Sequence, residues 1–218
     1  MCGRFALYSS FNAIKDYADI LNEIGELESN FNVAPGQIIP IVMIVNKKKI
    51  LEPVKWGLVP FWAKDPKIGY RMINTRAETI SEKPSFKAAF KYRRCLIPAN
   101  GFYEWKKPEK QPYFIHLKDR ELFTFAGIWE EWHHPDGSSV RTCSIITTEP
   151  NQKMQEIHNR MPVILSREDE EKWLKKNEKK ELLTLLKPCA YDLIEMHPVS
   201  KAVNSYKNNN AELILEQM

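Results

Sequence analysis

The sequence predicts an α+β domain with a mostly antiparallel, barrel-like β-sheet core flanked by helices. Three observations carry that prediction. Apolar runs of strand length, separated by polar turns, recur as far as Thr147; they do not alternate one for one with helices, as a doubly wound parallel fold demands; and no internal repeat, low-complexity tract or Gly/Ser linker divides the chain. With 218 residues, 43% of them hydrophobic, there is apolar material for one core, and residues 1–218 read as a single domain.

Residues 2–8 read as a short strand. Ser9-Ser10 then offers an N-cap to a helix in which Phe11, Ile14, Tyr17, Ala18, Leu21 and Ile24 recur at helical spacing. Residues 38–45 and 50–56, around Asn46-Lys47-Lys48-Lys49, predict a hairpin, and residues 113–117 and 122–128, around Lys118-Asp119-Arg120-Glu121, predict another. Residues 94–97 and 140–147 complete the strands. Ser166-Arg167-Glu168-Asp169 has the form of a capping box with aspartate in the glutamate place, and Trp173, Leu174, Leu182, Leu183, Leu185 and Leu186 follow in highly charged helical sequence.

Composition removes several function classes. No stretch approaches the roughly 20 apolar residues a bilayer span needs, and the start lacks the basic, apolar and small-residue segments of a signal peptide. An intracellular protein is expected, cytoplasmic and nucleoid-associated if the source is prokaryotic. Cysteines at 2, 95, 143 and 189 are too scattered for a metal knuckle or a CxxC pair, so reduced thiols are expected, with Cys95 and Cys143 in the core. His133-His134-Pro135-Asp136-Gly137 is turn chemistry without a third ligand, and neither a metal nor a cofactor is expected. A net charge of +4 and a pI near 8.7 permit a polyanionic partner without demanding one.

Four segments concentrate reactive groups, and each leaves two readings open. Met1-Cys2-Gly3-Arg4-Phe5 would, on removal of Met1, begin with a 1,2-aminothiol; alternatively Cys2 is a small buried residue. In residues 72–79, Asn74 and Arg76 can hold a polar substrate and its phosphate, or form a loop salt bridge. In Gly101-Phe102-Tyr103-Glu104-Trp105-Lys106, aromatic neighbours desolvate the Glu104 carboxyl and favour its protonated form, as general-acid work requires, unless the residue is an exposed strand glutamate. His158, in Ile157-His158-Asn159-Arg160-Met161-Pro162, is a proton carrier or a helix-end cap. Trp56-Gly57-Leu58-Val59-Pro60-Phe61-Trp62 offers flat faces for base stacking, or a packed aromatic corner.

These segments in this order, with Phe31-Asn32-Val33-Ala34-Pro35 and His197-Pro198-Val199-Ser200-Lys201-Ala202-Val203, make the chain resemble the SRAP family, the SOS-response-associated peptidases or abasic-site processing proteins. The resemblance runs from Cys2 to about Leu215. It implies an SRAP-like fold and a protein that recognises abasic sites in single-stranded DNA, including those at single-strand/double-strand junctions, and becomes covalently joined to them. By motif match it makes Cys2 the nucleophile and Asn74, Glu104 and His158 the supporting polar site. It makes Arg4, Arg76 and Arg160 phosphate or sugar contacts, Asn32, Pro35 and Trp62 DNA-facing residues, and the segment with His197, Ser200 and Lys201 the completion of the groove. A monomer suits a protein that caps one strand, and no membrane is involved.

The chemistry agrees. An α-amine condenses with the open aldehyde of an abasic deoxyribose to an imine, and the adjacent sulfur closes on the same carbon to a thiazolidine; tethering gives that closure a high effective concentration. Weak β-elimination at the imine, giving AP-lyase activity, and self-reversal are expected side activities. Two rivals stand beside this reading: a thiol peptidase using Cys2 and His158, acting even on its own Met1-Cys2 bond alone, and a non-catalytic reader of modified or single-stranded DNA that binds reversibly.

Overall fold

Phe5, Phe102 and Phe125 come from three strands and meet edge to face, with ring centroids 5.9 Å apart for Phe5–Phe125 and 6.0 Å for Phe102–Phe125. Two sheets are built around them in the computed structural model, which describes residues 2–175 and 178–217. In chain order the strands are β1 (Phe5–Leu7), β2 (Asn30–Val33), β3 (Ile38–Val45), β4 (Lys48–Trp56), β5 (Asn74–Arg76), β6 (Arg94–Ala99), β7 (Gly101–Lys106), β8 (Gln111–Leu117), β9 (Phe123–His133), β10 (Ser139–Thr148), β11 (Met161–Pro162) and β12 (Ile194–Pro198). The α-helices are α1 (Phe11–Ala18), α2 (Pro84–Tyr92), α3 (Gln152–Gln155), α4 (Arg167–Leu174) and α5 (Lys179–Thr184).

One sheet is antiparallel throughout, in the order β12-β8-β7-β1-β2. The other closes on itself. Strands β10, β4, β3, β6 and β9 follow one another, and β9 pairs back to β10, making a five-stranded barrel whose single parallel pairing is β10 with β4. Closure leaves no free barrel edge. The antiparallel sheet lays Phe5, Phe102 and Ile115 on the barrel, where Trp56, Phe123, Phe125, Ile41 and Leu51 are fully buried. The predicted α+β class with a barrel-like core is the observed one, and Cys95 and Cys143 lie inside it.

The local predictions divide. Ser10 caps α1, accepting from the Ala13 N–H at 3.2 Å, but the helix stops at Asp19, which takes a left-handed φ of 53°. Leu21 and Ile24 therefore lie outside it. Ile20 takes the buried position, while Leu21 is exposed and donates its N–H to Lys49. The first hairpin is tighter than expected: β3 and β4 pair as far as Val45 with Lys48, and Asn46 and Lys47 alone make the turn with positive φ at both. Ser166 caps α4 as predicted, accepting from the Asp169 N–H at 3.1 Å; Leu185 and Leu186 lie beyond the end of α5.

The second hairpin does not form. Strand β8 pairs with β7 and β12 in one sheet, β9 with β6 and β10 in the other, and residues 118–122 carry the chain between sheets. Two apolar runs around a polar tetrad fit a hairpin and a sheet-to-sheet crossing equally well. The crossing wins because β9 pairs along all of β6, from Arg94 with Ile128 to Ala99 with Phe123, and along its other half with β10.

Candidate functional site

Strand β10 is longer than the barrel needs. Its pairing with β9 ends at Ile145, and its pairing with β4 at Cys143. The remainder picks up a short strand on each edge. β5 runs parallel to it, Asn74 opposite Ile145 and Arg76 opposite Thr147, and β11 runs antiparallel, with Pro162 opposite Thr147 and Met161 opposite Thr148. Two segments far apart in sequence, one carrying Asn74 and Arg76 and the other His158 and Arg160, are thus held on either side of one strand.

Cys2 reaches this place from the other sheet. β1 pairs Phe5 with Phe102 of β7, and the Tyr103 N–H donates to the Arg4 carbonyl at 2.9 Å, so the chain start lies along the part of β7 that carries Glu104. Cys2 is fully buried, its Sγ 3.8 Å from the Arg4 carbonyl. The Asn74 Nδ2 donates to the Cys2 carbonyl at 2.7 Å. That carbonyl only accepts, so the amide nitrogen faces it and Oδ1 points elsewhere. Oδ1 is buried and has no partner among the described residues, an acceptor awaiting a donor. Met1, whose removal frees the Cys2 amine in the expected chemistry, lies outside the described residues.

Glu104 is buried on the face of β7 that also carries Phe102. Burial pushes the Cys2 thiol well above its ordinary range, and the nearby Glu104 carboxylate pushes it further. Both effects favour S–H over the thiolate. His158 is half-buried just past α3, where its own N–H donates to the Met154 carbonyl at 2.8 Å. Its Nδ1 accepts from the Arg160 N–H at 3.0 Å.

The residues expected to touch DNA divide sharply. Arg76, Trp62 and Lys201 are exposed, Trp62 by 48% beside Phe61 at 58%, whereas Trp56, Leu58 and Val59 of the same run are core. The run therefore divides into a packed corner and an exposed aromatic pair. Gly57, at φ 130°, and Gly69 bring their backbones so close that a Cβ on Gly57 would lie 2.8 Å from the Gly69 carbonyl oxygen, which pins the Pro66–Arg71 turn under it. Pro35 is half-buried in the turn after β2, and Ser200 caps the short helix that follows it, accepting from Ala202 at 3.2 Å.

Four of these residues are engaged within the protein itself. Asn32 is fully buried, and its Nδ2 donates to the carbonyls of Val203, Ser205 and Asn208 at 3.2, 2.9 and 2.9 Å. Arg4 is half-buried and donates through Nη1 to Asn32 Oδ1 at 2.7 Å and to the Val203 carbonyl at 2.9 Å; desolvation lowers its pKa. This pair ties the C-terminal segment to β2 and to the start of the chain. Arg160 is held in a two-pronged ion pair with Glu78, at 2.6 and 3.0 Å. His197 lies in a row with Phe114 and Tyr103, on the face of the sheet opposite Glu104, where its Nε2–H donates to the Ile214 carbonyl at 2.8 Å. The motifs gave residue type but not burial. They also passed over Glu78, whose partner lies 82 residues away and leaves no local signal.

Comparison with known proteins bears on the family and the fold. The family model described as SOS response associated peptidase (SRAP) matches residues 1–206. The abasic site processing protein YoqW of Bacillus subtilis (strain 168) is 48% identical, with 98% of this chain and 99% of that protein aligned. The abasic site processing protein HMCES of Rattus norvegicus is 33% identical over 98% of this chain and 75% of its own length. A crystal structure of a protein from Bacteroides thetaiotaomicron superposes with a TM-score of 0.92 at 28% identity, covering 100% of both chains.

Proposed function

Because the chain belongs to the SOS response associated peptidase family, we propose that it processes abasic sites, joining itself to the lesion in single-stranded DNA through a thiazolidine at Cys2 once Met1 is removed. The abasic-site role follows the names of its relatives. The covalent step is our reading of the residues. The adduct shields the lesion during replication-associated repair, with the protein acting inside the cell as a monomer and accepting sites at single-strand/double-strand junctions.

The observation that carries this reading is the Asn74 amide. Its nitrogen fixes the Cys2 carbonyl at 2.7 Å, while its buried oxygen has no partner among the described residues. An α-ammonium N–H or a sugar hydroxyl satisfies it. The amine, not the sulfur, attacks first: with the reference α-amine pKa at about 7.7–8.0, a usable fraction is unprotonated at neutral pH, whereas burial and the Glu104 carboxylate disfavour the thiolate. Glu104 assists opening of the closed sugar to its aldehyde by proton transfer. The amine adds to the carbonyl carbon, water leaves, and an imine forms. Sulfur then bonds to that same carbon while the thiol proton passes, by way of Glu104 or His158, to the nitrogen that becomes the ring amine. Reversal retraces these steps and returns the aldehyde.

The same protonated thiol weighs against the peptidase rival, which needs a thiolate ready to attack an amide. Arg76 and Lys201 follow the phosphates, and Trp62 with Phe61 stacks unpaired bases, at about 1–3 kcal/mol per base. A denaturing gel tests the reading. Wild type incubated with an abasic single-stranded oligonucleotide gives a shifted band, and a variant with an extra uncleavable residue before Cys2 gives none. A band of equal strength from the blocked variant refutes the aminothiol mechanism, and peptide cleavage without DNA restores the peptidase.

A further inference from the structure

His158 and Glu78 are connected through a single residue. The Arg160 N–H donates to His158 Nδ1 at 3.0 Å, and the Arg160 carbonyl stands 3.3 Å from the same nitrogen. One backbone unit therefore serves either protonation state of Nδ1, donating to it when bare and accepting from it when protonated. With Nδ1 bare, the neutral ring carries its proton on Nε2 and donates there; with the proton on Nδ1, Nε2 becomes a base. Where the Arg160 backbone stands decides which of these His158 can use.

A side chain from another element sets that position. Glu78, in the short helix after β5, accepts from Arg160 Nη1 through Oε1 at 2.6 Å and from Nη2 through Oε2 at 3.0 Å. Nη2 also donates to the Thr147 carbonyl of β10 at 2.7 Å. The Arg160 side chain is 15% exposed, so the fork is largely shielded on its side. The hydrogen bond from Arg160 holds the Glu78 carboxyl below its ordinary value, with smaller help from the charges of Arg160 and Arg76. Two parallel charge-assisted bonds fix orientation as well as distance.

Resting on the functional reading above, we propose that Glu78 is a positioning residue for the cross-linking reaction, acting through Arg160 on His158. It touches neither the DNA nor the reacting atoms. The fork draws the turn that carries His158 against the element that follows Asn74, so the two halves of the polar site on either side of β10 keep one geometry.

A double-mutant cycle tests this. Cross-linking of an abasic single-stranded oligonucleotide is followed under single-turnover conditions for wild type, Glu78→Ala, Glu78→Asp, His158→Ala and the Glu78→Ala/His158→Ala pair. Glu78→Gln, which keeps the volume and one acceptor, replaces the alanine variant if melting shows that variant unfolded. Loss of the fork lowers the rate at saturating DNA about tenfold while the half-saturating DNA concentration changes less than about twofold. Glu78→Asp recovers most of that loss, and in the His158→Ala background the same change costs less than about twofold. An equal loss in both backgrounds, or a His158→Ala variant as fast as wild type, overturns the proposal while leaving the cross-link itself standing. Tighter DNA binding by Glu78→Ala overturns it too, because Glu78 would then be an occupant that phosphate displaces from Arg160. Absence of any cross-link in wild type removes the functional reading and this inference with it.

Discussion

At the scale of single residues, the account turns on Cys2 and the two groups that address it. Burial and the Glu104 carboxylate favour the protonated thiol, which is why the proposed scheme brings sulfur in only after the imine. Cys2→Ser retains the amine but can close only an oxygen ring; it is predicted to form an adduct that fades within the time wild-type adduct persists, read on a denaturing gel after quenching. Cys2→Ala stops at the imine and should cleave the abasic strand faster than wild type, since ring closure no longer competes with β-elimination. Asn74→Ala leaves the Cys2 carbonyl unsatisfied, a cost of about 1–3 kcal/mol in a buried setting, and should slow cross-linking about 5- to 150-fold if that cost falls on the transition state. Cys2, Asn74, Glu104 and His158 stand out in the sequence as candidates because thiol, amide, carboxylate and imidazole announce themselves by type. The internal partners of Arg4, Asn32 and Arg160 were not legible, because a guanidinium or amide bonded to backbone or carboxylate has no mark of its own in sequence.

At the scale of elements, the decisive one is β10, whose protruding end gathers β5 and β11. Three-residue and two-residue strands leave no alternation pattern, so no reading of periodicity finds them. The clamp between Glu78 and Arg160 has a pH signature. A carboxyl whose folded pKa lies below its unfolded one contributes stability above the unfolded value, near 4.5, and loses it as pH falls through the folded one. Wild type should therefore lose melting temperature on acidification below about pH 4.5 more steeply than Glu78→Gln, a difference absent at pH 7 to 8 once the constant offset is removed. The strap formed by residues 203–208 makes a second test. Asn32→Ala strips three carbonyls of their donor and should lower stability by about 1–3 kcal/mol in denaturant unfolding, with little change in the slope against denaturant.

At the scale of the whole molecule, the α+β class and the barrel were readable from strand-length runs that never settle into alternation with helices. Which sheet each run joins was not, because β8 and β9 satisfy the same local rules as a hairpin. No helix among the described residues is long and apolar enough to cross a membrane. A net charge of +4 suits a protein that meets DNA through a few contacts rather than a broad basic face. If two to four phosphates are neutralised, binding to single-stranded DNA should weaken with salt at a log–log slope of about −1.4 to −2.8. The central claim is that nitrogen and sulfur of one terminal cysteine converge on one sugar carbon, and intact-mass and fragmentation analysis of the trapped protein–DNA product tests it most directly. The account predicts a chain lacking Met1, joined to the deoxyribose at Cys2 with loss of one water; methionine still attached, or a linkage on any other side chain, contradicts it.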